Sequence, residues 1–209
     1  MYTAFMNNSW EIASGSASPA SRLGRPRSER ARLAILDAAA DLLIEGGLGA
    51  ATMEAIAARA GVSKVTIYKW WPTRGAVAVD AYFHRSEPTN TIEETGDLAR
   101  DLTNQLAKMI DAFAGRPGVV MAELIGQAQT DPNLAETLRS RWLKPRRDEA
   151  AAVLQRSIDR GEIRPDVDIP ALMDQLFAPI YYRLTMQHEP LDEKLARTLV
   201  RTLLDGVRL

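Results

Sequence analysis

The sequence contains no cysteine, which excludes disulfides, thiolate metal sites and a cysteine nucleophile. It has two histidines, His84 and His188, and neither sits in a metal-spaced or triad-like cluster. No apolar run approaches the roughly 18 residues that a membrane span needs. No segment alternates apolar and polar residues like a half-buried strand, and no glycine loop of the phosphate-cradling kind is present. Residues Met1 to Ser21 lack a basic start and an apolar stretch, so a secretory leader is not expected and a cytoplasmic protein is. The absences together point to an all-α chain that binds rather than catalyses, with no cofactor and no metal expected.

The chain is 209 residues long and 46% hydrophobic, enough to bury a core in one large domain or two small ones. Its net charge of −1 hides an asymmetry. Between Arg22 and Arg74 nine basic residues stand against five acidic ones, an excess of +4 that leaves −5 on the remainder. A basic segment on an acidic body suits a polyanionic partner for that segment alone.

Helical signals follow one another closely. Residues 1–22 have no period and read as a disordered tail, and Gly24, Pro26 and the arginines around them read as an extended basic arm. Ser28 is a good N-cap for a helix carrying Ala31, Ile35, Ala38, Ala39 and Leu42, stopped at Gly46-Gly47. Thr52 caps a short helix from Met53 to Ala60, and Gly61 ends it. Ser63 caps another from Lys64 to about Trp71, closed by Pro72. Thr73 caps a fourth. The polar stretch from Ser86 to Gly96 is the best domain boundary, with the division placed between residues 83 and 84.

Longer helical patterns follow, at about 97–113, 119–129 and 132–160. Pro145 is expected to kink or divide the last of these. Two final helices are expected at about 171–188 and 192–207.

The segment from Thr52 to Trp71 has the layout of a helix-turn-helix. Two short helices crossing steeply need a small residue at the contact, and Ala57 is one. The turn needs a residue tolerant of positive φ, and Gly61 is one. The second helix needs an apolar anchor, and Ile67 is one. That helix then turns Lys64, Thr66, Lys69 and Trp70 outward.

Residues 31–83 resemble the DNA-binding half of the TetR family of bacterial repressors. The run from Ile35 to Glu45 is similar to the family's first helix, and Gly61 to Tyr68 to its turn and recognition helix. Trp71-Pro72-Thr73-Arg74 is similar to its exit into the fourth helix. Val65, Trp70 and Gly75 depart from the residues common at those places. The resemblance implies an N-terminal three-helix DNA-binding domain (23–83) and a C-terminal helical domain (84–209) for effector binding and dimerisation. It also implies a transcriptional regulator, of repressor type, released from a palindromic operator by a small molecule.

Several roles follow. The N-termini of the helices at Met53 and Lys64 suit phosphate, and Thr52 and Ser63 cap them and can touch phosphate oxygens. Lys64, Val65, Thr66 and Lys69 are candidates for base-edge or phosphate contact. Tyr68 and Trp70 resemble family positions on the sugar-phosphate backbone, and Arg74 would clamp phosphate. Arg25 and Arg27 would enter a minor groove or follow the backbone, or else remain solvated. Tyr68 is equally readable as core, and Trp71 reads mainly as core. In the body, Met109, Phe113, Met121, Leu124, Trp142, Phe177 and Tyr181 are candidates to line an effector pocket, or to be ordinary core.

In the family the last two helices of each subunit pair into a homodimer, for which Leu172, Leu176, Ile180, Leu184, Leu195, Leu199, Val200, Leu203 and Leu204 are the candidate stripe, unless they fill an internal core. An enzyme, a helical adaptor that ignores DNA and an activator are the competing readings.

Overall fold

The computed structural model describes residues 24–85 and 92–208, with side chains from residue 28 onward. The expected tail and the first part of the expected boundary, with Pro88 and Asn90, lie outside the described residues. Among the described residues all regular structure is helical. The N-terminal unit holds α1 (Gly24–Ala50), α2 (Met53–Ala60), α3 (Lys64–Tyr68) and α4 (Arg74–Arg85). The body holds α5 (Leu98–Ala112), α6 (Arg116–Ala128), α7 (Pro132–Thr137), a π-helical turn (Leu138–Leu143), α8 (Lys144–Asp159), α9 (Ile169–Met186) and α10 (Glu193–Val207).

The start of α1 corrects the expectation of an extended arm. Gly24 to Arg27 are helical in backbone, four residues ahead of the expected cap at Ser28. Pro26 tolerates this because it falls in the first turn, where backbone N–H groups have no partner inside the helix. The side chains of Arg25 and Arg27 lie outside the described residues. Farther on, α1 buries Ile35, Leu36, Ala39, Leu42 and Leu43 at helical spacing. It breaks at Gly47, where φ is 71° and ψ is −168°. Leu48 beyond the break returns to the core.

The helix expected over 132–160 is two helices joined by a widened turn. Pro145 has no N–H to give to the carbonyl four residues back. The backbone answers with a π pattern just before it, in which Lys144 N–H reaches Arg139 O. Elsewhere the ends move by two or three residues. α3 stops at Tyr68 rather than Trp71, because a residue before proline disfavours the α conformation and the last turn tightens. Trp70 and Trp71 N–H both turn back to Ile67 O, at 2.9 and 3.0 Å. α6 starts at Arg116, taking Pro117 into its first turn.

The N-terminal unit docks on the body along α1–α6 and α4–α7. α6 grips the broken end of α1. Glu123 Oε2 accepts Leu48 N–H at 2.7 Å, and Arg116 Nε donates to Ile44 O at 2.9 Å. Within the body α10 packs on α5 and α9, and α9 on α8 and α6. The leucine stripe of the last two helices is turned inward in the single chain. Leu172, Leu176, Ile180, Leu184, Leu195, Val200, Leu203 and Leu204 are all buried, and only Leu199 is half-exposed. These residues fill their own subunit's core, which leaves other faces of α9 and α10 for a partner. On α9, Tyr182 and Met186 are 59% and 60% exposed, one turn apart.

Candidate nucleic-acid interface and internal cavity

Local chemistry sets the geometry of α2 and α3. Thr52 Oγ1 accepts Ala55 N–H at 3.1 Å and so fills an unused donor of the first turn of α2. Gly61 adopts φ 65°, ψ 33°, the left-handed conformation that a side chain would penalise, and ends the helix. Val62 N–H then turns back to Ala57 O at 3.0 Å. Ser63 Oγ accepts Thr66 N–H at 3.2 Å to start α3, and the two hydroxyls lie 3.0 Å apart. Ile56 and Ile67 are fully buried and Ala57 nearly so, which fixes the crossing of the two helices from inside.

The outer face of α3 is correspondingly open. Lys64, Val65, Tyr68, Lys69 and Trp70 are exposed, and Thr66 is half-buried. Val65 at 68% is among the most exposed large apolar residues described. Tyr68 at 51% exposure is a surface residue and not core. Trp71 is core, as read from the sequence. Its indole N–H donates to Asp80 Oδ2 at 2.7 Å, and Arg141 Nη1 meets the same oxygen at 2.5 Å.

Charge around α3 is uneven. Lys64 is held by Glu54 of α2 at 2.8 Å, which keeps the Glu54 carboxyl below the usual carboxylate range. Arg59 is taken up bidentately by Glu45. No carboxylate lies within ion-pair distance of Lys69 or Arg74 among the described residues.

A cavity of about 90 Å³ lies between α4 of the N-terminal unit and α5, the π turn, α8 and α9 of the body. Met109, Phe113, Trp142, Phe177 and Tyr181 line it, five of the seven side chains expected around a pocket. Met121 and Leu124 do not. Both are fully buried on the inner face of α6 and serve packing, because helical period alone cannot tell a core face from a cavity wall. The wall is aromatic. Phe83 stacks on Trp142 with centroids 5.5 Å apart, and Tyr181 meets Trp142 edge-on at 5.5 Å.

Tyr82, Phe83, Gln105, Arg146 and Arg147 also line the cavity and were not singled out from the sequence. Arg146 was within reach of sequence reasoning, since it lies four residues after Trp142 on the same helical face.

The two histidines are far apart in role. His84 Nε2 meets Asp37 Oδ1 at 3.1 Å between α4 and α1, and the His188 ring lies 4.7 Å from Tyr182. Among the described residues no cluster of three or more His, Asp or Glu could hold a metal ion. No described helix is long and apolar enough to cross a membrane.

Comparisons with known proteins agree with this geometry. Residues 35–80 match the family model described as bacterial regulatory proteins, tetR family. Residues 92–203 match the model described as tetracyclin repressor-like, C-terminal domain. The HTH-type transcriptional regulator YdeS of Bacillus subtilis is 39% identical over 188 residues, covering 90% of this chain and 95% of that one. The DNA-binding transcriptional repressor TetR of Mycobacteroides abscessus is 30% identical over 181 residues, covering 85% and 94%. The crystal structure of the TetR family transcription regulator SCO0332 superposes with a TM-score of 0.75 at 42% identity, covering 86% of this chain and all of that one. The chain belongs to the TetR family of helix-turn-helix transcriptional regulators.

Proposed function

We propose that this protein is a homodimeric repressor that holds a two-half-site operator and releases it when a small molecule enters the cavity. The observation that carries the reading is the open face of α3 and the turn that follows it, five exposed side chains anchored from beneath by Ile67. A helix of this kind fits a major groove. Val65 and Thr66 are suited to thymine methyl groups and base acceptors, and Lys64 and Lys69 to guanine O6 and N7 or to phosphate. Tyr68, Trp70 and Arg74 would hold the backbone, with Thr52 and Ser63 at the helix starts. Arg25 and Arg27, just ahead of the described side chains, would add backbone charge. Residues 23–83 would act as the reader and 84–209 as the body.

Two readers on a two-fold axis reach half-sites about 34 Å apart, one helical turn of DNA. The exposed Tyr182 and Met186 on α9 favour a partner on that side of the last two helices. A run of contacts from cavity to reader supports the coupling between them. Trp142 lines the cavity, its neighbour Arg141 meets Asp80, and Asp80 holds Trp71 directly behind α3. A ligand that prefers one setting of this chain lowers DNA affinity by no more than that preference.

The test is selection of bound duplexes from random DNA, followed by anisotropy titration over a salt series. Lys69→Ala is expected to weaken all sequences together and to flatten the salt slope by about one unit. Selection that yields no palindromic sequence at low salt would end the reading.

A further inference from the structure

The cavity wall is apolar and aromatic except at Gln105, the phenols of Tyr82 and Tyr181, and two neighbouring arginines, and the two arginines differ. Arg147 is answered. It pairs with Asp174 and donates to Pro170 O at 3.3 Å. Arg146 is not. Its one polar partner among the described residues is the Trp142 carbonyl, 3.1 Å from Nη1. Otherwise its guanidinium lies over rings, 4.8 Å from the Phe83 centroid and 5.3 Å from that of Trp142.

A guanidinium has five N–H donors, so most of this one's capacity is unused by the protein. No described carboxylate comes within ion-pair distance. Glu149, on the same helix, acts on it only from farther away. Tyr82 and Tyr181 face the group but bring no negative charge, because burial raises both phenols well above their ordinary value even against the pull of Arg146. Burial disfavours the charged form of Arg146, yet arginine stays protonated in proteins. The cavity therefore keeps a half-buried positive charge without a counter-ion, a costly arrangement until an anion arrives.

We infer that the cavity takes a small one-ring or similarly apolar molecule bearing a single carboxylate, with the carboxylate on the Arg146 guanidinium and the apolar part among Phe83, Trp142 and Phe177. The inference rests on the effector reading of this cavity. Carboxylate suits the planar fork of arginine, which can grip both oxygens. Size sets the rest. The cavity of about 90 Å³ is smaller than the roughly 150 Å³ that accepts benzene, so a ring enters by displacing a flexible wall. Met109 is the adaptable side chain there.

The experiment compares phenylacetate, phenylacetamide and phenethylamine at millimolar concentration and matched ionic strength. Full-length protein is followed by thermal unfolding and by tryptophan fluorescence, to which Trp142, one of four tryptophans, contributes from the cavity wall. Phenylacetate is expected to bind about tenfold or more tighter than the amide, and the amine weakest, in line with a charge-assisted hydrogen bond. Arg146→Met is expected to erase the preference while the amide still binds. Arg146→Lys, which keeps the charge, is expected to retain part of it and covers the case in which Arg146→Met fails to fold. Equal binding of acid and amide, or tighter binding of the amine, overturns the carboxylate inference and leaves the pocket standing. If none of the three binds, the effector reading of the cavity fails and the inference falls with it.

Discussion

The Asp80 carboxylate joins three elements, and removing it separates a buried requirement from a surface one. In Asp80→Ala the indole N–H of Trp71, a residue only 2% exposed, loses its acceptor. A buried donor left without a partner costs about 1–3 kcal/mol. The ion pair with Arg141 is partly exposed, 47% on the arginine side and 27% on the aspartate side, so its share is about 0–1 kcal/mol. Asp80→Ala should therefore cost about 2 kcal/mol in total, and Arg141→Ala less than about 1 kcal/mol. For a chain of this size the first loss corresponds to a melting temperature lowered by roughly 4–8 °C.

The assay is thermal and urea unfolding at one fixed protein concentration, because dimer formation feeds into apparent stability. The deciding comparison uses Trp71→Phe. In that background the donor is already gone, and Asp80→Ala should cost no more than Arg141→Ala does in the parent. Equal costs for Asp80→Ala in both backgrounds would refute the reasoning, as would equal costs for Asp80→Ala and Arg141→Ala in the parent. Operator affinity should fall in Asp80→Ala even where the protein is fully folded, since Trp71 sits directly behind α3.

Further expectations concern the reader and its joint. Ser63→Ala removes the cap of α3 and should cost about 1 kcal/mol of stability, visible in the urea midpoint, together with weaker operator binding. Glu54→Gln frees Lys64 from its ion pair and removes a negative charge beside the DNA face, so anisotropy titrations should show tighter duplex binding with a steeper salt slope. Unchanged affinity would mean that Lys64 does not reach DNA. Gly47→Ala places a side chain at φ 71° and against the Glu123 carboxylate. It should lower stability by about 1–3 kcal/mol from the backbone alone, because φ 71° with ψ −168° is a region that essentially only glycine adopts. Adding Glu123→Ala should relieve the crowding but leave the backbone cost and strip the Leu48 N–H of its acceptor, so thermal unfolding should show no net recovery.

The parts of the fold legible in the sequence are those specified within a few residues. Thr52, Gly61 and Ser63 act on their own turns, so α2, the turn and the start of α3 stand where the sequence places them. Pro145 likewise marks the divided helix. The misreadings arise where the deciding partner is distant in the chain. The leucines of α9 and α10 look the same whether they meet a second subunit or their own core, and here the core takes them. Met121 and Leu124 share an apolar face with true cavity residues in composition, but α6 turns them to the packed interior. Arg146 escaped notice because a charged residue in a charge-rich helix reads as solvated. Only the rings of Phe83, which comes from α4, and Trp142 show that it points inward.

The widened turn at Leu138–Leu143 also makes the length of the chain negotiable at that place. An ordinary α-helix rotates by about 100° per residue, so losing one residue re-aims everything beyond it. A π turn already absorbs one residue beyond the regular repeat, and a deletion there can be taken up by relaxation to α with the later helix keeping its bearing. Removing Ser140 should thus leave helix content close to the parent, while re-aiming Arg141 and the buried Trp142 forfeits their present contacts and lowers the melting temperature. Such a shortened chain would keep the shape of the body and lose the link between its interior and the groove-reading helix, so relatives differing by one residue at this spot should differ in responsiveness more than in architecture.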